Sequence, residues 1–256
     1  MATRRDFTFH GNGRELTAFY AEPEAPAGSA PDAPLPPQPA VIVVHEIMGL
    51  NDDIRRIAAR FADSGYVALA PDLIGAGFKP LCIARFMRGA GRGATGRPHR
   101  EMRAFHDWLA KRPQVDADRI GMAGFCAGGG FAILYAAAGG RDLRAVAPFY
   151  ARLPADMSVI PRVCPVVASY GGRDRALGAN GPRLEAALEA AGIPHDVKTY
   201  PEAGHSFMNR HEGALQAVMS RGPAKAGFDP EASEDAWARV LAFFGKHLAA
   251  RTPVGG

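Results

Sequence analysis

The sequence predicts an α/β fold of the α/β-hydrolase kind, a mostly parallel central sheet with helices on both faces, and three observations carry the prediction. Apolar runs of strand length alternate with helical stretches from about residue 40 to residue 248. Ala40-Val41-Ile42-Val43-Val44 is apolar at every position, which suits a parallel strand covered on both faces. The strand 119–125 runs through Gly124 into Cys126 and straight out into the glycine- and alanine-rich stretch 127–138, a strand–turn–helix unit with a reactive side chain at its bend.

Taken in order, residues 6–10 and 16–21 alternate well enough for two short antiparallel strands around Gly11-Asn12-Gly13, which supplies the positive φ angles a tight turn needs. The segment 23–39 is rich in proline and alanine and is expected to be an exposed connection, neither helix nor central strand. The strand 40–45 follows and ends at Glu46. Asn51 is placed to cap a helix over 52–64 with Ile54, Ile57, Ala58 and Phe61 on one face and Gly65 closing it. A strand over 66–71, a basic glycine- and arginine-rich loop over 75–100 and an amphipathic helix over 100–110 come next. Beyond the bend at Cys126 the pattern gives strands over 144–150, 163–170 and 195–200, with helices over 183–191 and 236–248. No internal repeat or second core is evident, so residues 1–256 read as a single domain.

Composition narrows the function classes. The hydrophobic fraction of 47% is ordinary for a globular protein, and no apolar run approaches the roughly 20 residues needed to cross a bilayer. Met1-Ala2-Thr3-Arg4-Arg5 leads into a polar strand rather than an apolar signal core, so a cytoplasmic location and no membrane partner are expected. The net charge of +4 is spread among 30 basic and 26 acidic residues, which argues against a nucleic-acid partner. Cys82, Cys126 and Cys164 have neither metal-ligand spacing nor disulfide density and read as reduced thiols. No metal or organic cofactor is expected, and the expected assembly is a monomer or a weak homodimer.

In an open parallel sheet, ligands bind beyond the carboxyl ends of the strands. The residues there are Glu46, Asp72, Cys126, Asp174 and His205, which include a nucleophile, an acid and a histidine in the chain order of α/β-hydrolases. Gly124 and Gly128 flank Cys126 as a sharp bend requires. The helix that follows points its free N–H groups at the sulfur, favouring a thiolate or a neighbouring oxyanion. Cys82 and Cys164 read as packing residues, and His45 as structural.

Gly124-Phe125-Cys126-Ala127-Gly128-Gly129, Tyr170-Gly171-Gly172-Arg173-Asp174, Ala203-Gly204-His205-Ser206-Phe207 and His45-Glu46-Ile47-Met48-Gly49-Leu50-Asn51 together resemble the dienelactone hydrolases, over roughly residues 40–248. The resemblance implies that Cys126 attacks, that His205 is base and acid, that Asp174 orients His205, and that Glu46 is an additional acid near the sulfur. The chemistry asks for these types: a thiolate needs a proton acceptor, and the acceptor needs a carboxylate to fix its tautomer. The backbone N–H groups of Ile47 and Ala127 are placed to receive the tetrahedral oxyanion. The implied function is a thiol-dependent hydrolase of lactones or small activated esters. A broad-specificity carboxylesterase on the same fold and a catalytically silent ligand-binding protein are the alternatives.

Two stretches depart from the family pattern. Asn209 stands where the family carries an arginine four positions beyond the histidine, with Arg210 one step on, and the segment 75–100 differs in length and composition. The density of arginine in that segment suggests a small lactone or ester that is anionic, its carboxylate gripped by Arg85, Arg88 or Arg210.

Overall fold

The computed structural model describes residues 3–24, 36–75, 79–89, 96–139, 143–210 and 220–250. The chain opens with the hairpin β1 (Arg4–Gly11) and β2 (Arg14–Ala21), then runs through β3 (Gln38–Val44), α1 (Asp52–Asp63), β4 (Val67–Pro71), α2 (Lys79–Gly89) and α3 (Arg97–Ala110). It continues through β5 (Val115–Phe125), α4 (Ala127–Gly139), β6 (Ala145–Phe149), a 3-10 turn (Met157–Arg162), β7 (Val166–Gly171), α5 (Asn180–Ala190), β8 (His195–Tyr200) and, after residues outside the described set, α6 (Pro230–His247). The strands form one eight-stranded sheet in the order β1-β2-β4-β3-β5-β6-β7-β8. Strands β3 to β8 are parallel, and the hairpin adds antiparallel to β4, with Ala18 opposite Pro71 and Ala21 opposite Ala68. This is the α/β-hydrolase fold.

Local chemistry fixes the elements where the sequence indicated. Asn12 and Gly13 take φ of 52° and 74°, the left-handed pair of a two-residue hairpin turn. Asn51 caps α1 by accepting from the Ile54 N–H at 3.0 Å, and Asp52 and Asp53 sit in the first turn, where carboxylates suit the helix dipole. Alternation along the strands separates two apolar layers. Ala40, Ile42 and Val44 face a layer built with α2 to α5, whereas Val41 and Val43 face one built with α1 and α6. Burial on both faces is the reason β3 reads as a continuous apolar run.

Three differences from the sequence reading have physical causes. Strand β3 begins at Gln38, so Pro39, expected in an exposed connection, lies in a central strand. It is tolerated because the β3–β5 ladder is irregular there, stepping from Gln38 opposite Val115 to Ala40 opposite Ile120. The segment 75–100 is not one loop. Residues 79–89 form α2, whose Cys82 and Phe86, one helical turn apart, face the core, and Arg97 already begins α3. Helix α6 starts at Pro230 behind an Asp229 cap that accepts from the Ala232 N–H at 3.0 Å, six residues before the apolar periodicity begins. Most of the proline-rich stretch, residues 25–35, lies outside the described residues, as do residues 76–78 and 90–95 of the basic segment.

Candidate active site

The bend after β5 puts Cys126 at φ 54°, in the left-handed region that a non-glycine residue enters only when its surroundings hold it there. The Cys126 N–H donates to the Phe149 carbonyl at 3.0 Å, and its own carbonyl accepts from Gly129 and Gly130 as α4 starts. The two flanking glycines are there for space. A Cβ on Gly124 would fall on the Gly128 carbonyl, and one on Gly128 would lie 2.5 Å from the carbonyls of both Val44 and His45. Small residues therefore let β3, β5 and α4 converge on one point, and Cys126 stays half-buried at the junction while Cys82 and Cys164 are buried.

Asp174 follows β7 and is buried at 2% exposure. One carboxylate oxygen accepts from the backbone N–H groups of Ala176 and Leu177 at 2.9 and 3.1 Å, and the other meets His205 Nδ1 at 2.7 Å. The turn fixes the carboxylate, and the carboxylate fixes the ring. His205, beyond β8, is itself 6% exposed, and its side chain also hydrogen-bonds Cys126. Burial alone lowers the imidazole pKa. The hydrogen bonds to Asp174 and Cys126, with the negative charge of both partners, outweigh it and raise the pKa to about 10. Thiol, carboxylate and imidazole, separated in that order by 48 and 31 positions in the chain, are thus brought into one hydrogen-bonded line.

The end of β3 supplies the opposite wall. His45, Glu46 and the turn to Gly49 follow directly, with the Gly49 N–H donating to the Glu46 carbonyl at 3.1 Å. His45 is fully buried and structural: Nδ1 lies 2.6 Å from the Glu46 carbonyl and Nε2 accepts from the Leu73 N–H at 3.0 Å. That pairing requires a neutral ring with its proton on Nδ1, and burial, which lowers the His45 pKa, keeps it so. The ring ties the ends of β3 and β4 together. Ala127 is the first residue of α4, so its N–H has no intrahelical acceptor. Glu46 is buried at 3% exposure, and its Oε2 accepts from the Ser206 hydroxyl at 3.3 Å.

Arg85 and Arg88 share α2, whereas Arg210 follows the histidine segment beyond β8. Arg210 is exposed and stacks over Phe228, its guanidinium carbon 4.7 Å from the ring centroid. Arg88 is exposed at the end of α2. Arg85 is half-buried and lends positive charge to Glu101, a buried carboxylate already bonded to Arg14 and Arg97.

Sequence reasoning missed a second layer behind the histidine. Tyr150, one residue past β6, is wholly buried, has φ 37°, and places its ring centroid 5.0 Å from that of His205. Its hydroxyl donates to Asn209 Oδ1, and Asn209 Nδ2 donates to Asp53 Oδ2 at 2.7 Å. Tyr150 ends a predicted strand, and its strand-end position was the available signal. Asn209 stood out only as a departure from the family pattern and Asp53 not at all, since their pairing joins positions 156 apart.

Comparison with known proteins bears on the same residues. The Dienelactone hydrolase family model matches residues 27–248, a span that contains β3, the Cys126 bend, Asp174 and His205. A Salmonella typhimurium protein provisionally named a carboxymethylenebutenolidase is 30% identical over 249 residues, covering 92% of this chain and 84% of its own. One of the same provisional name from Yersinia pestis is 29% identical over 262 residues, covering 96% and 90%. A crystal structure from Klebsiella pneumoniae, provisionally titled a dienelactone hydrolase, superposes with a TM-score of 0.74 at 25% identity, over 96% of this chain and 99% of that one. With sheet order, bend and family model in agreement along most of its length, the chain belongs to the dienelactone hydrolase family of carboxylic ester hydrolases.

Proposed function

We propose that the protein is a thiol-dependent hydrolase of lactones or small activated esters, with Cys126 as nucleophile, His205 as base and acid, and Asp174 as the residue that orients His205. The observation that carries this reading is the line from half-buried Cys126 through buried His205 to buried Asp174, with the His205 pKa raised to about 10 by its two partners. A protonated imidazole beside the sulfur stabilises a thiolate, the reactive form.

The sulfur attacks the carbonyl carbon, the carbon–oxygen π electrons move to oxygen, and the N–H groups of Ile47 and Ala127 receive the oxyanion. Collapse breaks the carbon–oxygen ester bond, and the leaving alkoxide takes the proton from His205. In a lactone that alcohol stays tethered to the acyl group. The sulfur of the thioester carries no charge, so part of what held the His205 proton is gone. The neutral ring then takes a proton from water, hydroxide adds to the thioester carbon, and the thiolate leaves with His205 again protonated. Glu46 is the additional acid of the site. It is buried, with Oε2 accepting from Ser206 in the same segment as His205. Replacing Glu46 with Gln is expected to lower turnover and change the pH dependence of thiol alkylation.

We assign the substrate a carboxylate, recognised by Arg85, Arg88 or Arg210. The reading is tested by a hydrolysis screen of carboxylate-bearing lactones, their neutral methyl esters and simple activated esters, with Cys126→Ala as control. Turnover of the lactones that the control lacks, and a lower KM for the anionic member of each pair, is expected. Turnover surviving in Cys126→Ala would sink the thiol mechanism, and equal KM values within pairs would sink the anionic substrate.

A further inference from the structure

Behind the hydrogen-bonded line of the candidate active site lies a second polar chain that the proposed reaction does not use. It joins three elements: Asp53 in the first turn of α1, Tyr150 just past β6, and Asn209 four residues beyond His205. Tyr150 and Asn209 are fully buried, and the Asp53 side chain is 7% exposed. Arg56 closes the outer end, its Nη2 lying 2.6 Å from Asp53 Oδ1. The directions are fixed by chemistry. The Asp53 carboxylate can only accept, so it takes the Asn209 NH2, which leaves the Asn209 carbonyl oxygen facing Tyr150, and the phenol must donate to it. Burial, followed by the negative charge of Glu46, Asp53 and Cys126, raises the Tyr150 pKa well above its usual value, so the phenol keeps the proton it donates.

Such a chain costs desolvation at every member, and an apolar cluster of the same shape would serve stability as well. What it adds is position. Tyr150 and Ser206 are held at φ 37° and 58°, and the His205 ring lies 5.0 Å from the Tyr150 ring between centroids. The segment 205–209 is pinned at three points: His205 on Asp174, Ser206 on Glu46, and Asn209 on Tyr150 and Asp53.

We propose that Tyr150 is a positioning residue for His205, locked by Asn209 and Asp53, so that the imidazole keeps its place on the sulfur while its charge changes through the catalytic cycle. Asp174 fixes one edge of the imidazole, and the Tyr150 ring limits its tilt about that edge. The network rests on the proposed thiol mechanism but not on the identity of the substrate.

The test uses Tyr150→Phe, which keeps the ring and removes the hydroxyl, Asn209→Ala, which cuts both bonds, and the double variant. Each is followed by ester turnover and by the pH profile of Cys126 alkylation with iodoacetamide at a temperature where all are folded. The expected result is a fall in kcat of about tenfold to a hundredfold with KM little changed, a shifted alkylation profile, and a double variant no worse than Asn209→Ala. Asn209→Gln, which retains the amide, should recover part of the loss. Alkylation reads the Cys126–His205 pair without any ester, so a wrong substrate class leaves this test standing. Wild-type alkylation profiles in the single variants, or a lower melting temperature with kcat and profile unchanged, would overturn the proposal.

Discussion

The two stretches in which chemistry was expected differ in how the structure treats them. At the strand ends, Cys126, Asp174, His205 and Glu46 all gather on one side of one sheet, and the first three form a continuous hydrogen-bonded line. In the basic segment, Arg85 and Arg97 act on the buried Glu101 and Arg88 stays exposed, as α2 and α3 dock by their apolar and aromatic faces. Topology dictates the first arrangement: a parallel strand must deliver the residue after it to the carboxyl edge, whatever the side chain. Packing dictates the second, and a local density of arginine does not say which way any one of them points.

The largest effect that sharpens this contrast is expected at Asp174. Asp174→Asn keeps the shape of the turn but removes the charge and the preferred acceptor at His205 Nδ1, and kcat should fall by about ten-thousandfold, as removal of a triad acid does elsewhere. The His205 pKa should fall with it, read from the imidazole proton resonances. The sign has a consequence for stability. His205 has a folded pKa raised to about 10, so its protonation contributes stability that is complete below its unfolded value near 6.5 and is lost as pH rises through 10. Asp174→Asn should flatten that alkaline loss in denaturant titrations across pH 6–10, and an unchanged slope would contradict the pairing.

A smaller effect probes the other region. Phe86 is fully buried against Phe131 and His45, with ring centroids 5.8 and 5.1 Å away. Phe86→Ala should therefore destabilise the protein by about 3–5 kcal/mol by the usual cost of a core cavity. A change under about 1 kcal/mol is what an undocked loop would give. The smallest effect concerns Arg210. Its stacking on Phe228 at an exposed position is worth about 0.5–1 kcal/mol. Arg210→Ala should change stability by no more than that, and a rise in KM confined to carboxylate-bearing substrates is the mark of a binding role.

Legibility in the sequence follows the same division. Strand β3 was readable because burial on both faces leaves no polar position between Ala40 and Val44, and the bend because only glycines fit at 124 and 128. The Asn12-Gly13 turn and the Asn51 cap were readable because each is a local bond or dihedral with a side-chain preference. Pro39 was not, because only the irregular step between β3 and β5 makes room for it. Helix α2 was not, because its apolar residues sit in a short stretch between glycine- and arginine-rich flanks, and the partners that bury Cys82 and Phe86 are far away in the chain. The Tyr150–Asn209–Asp53 chain was invisible for a related reason: it is made of single hydrogen bonds between distant segments, with no periodicity to announce it.

The central claim is that Cys126, poised by His205, carries the acyl group. Rapid-quench mass spectrometry after mixing with an activated ester tests it most directly, with peptide mapping of the adduct in the wild type and in His205→Ala. The account predicts a transient acyl mass on Cys126 within the first turnover, and its slow or absent formation when the imidazole is removed. An adduct on Cys82, Cys164 or a hydroxyl side chain, or turnover with no acyl mass on Cys126 at any time, would contradict it.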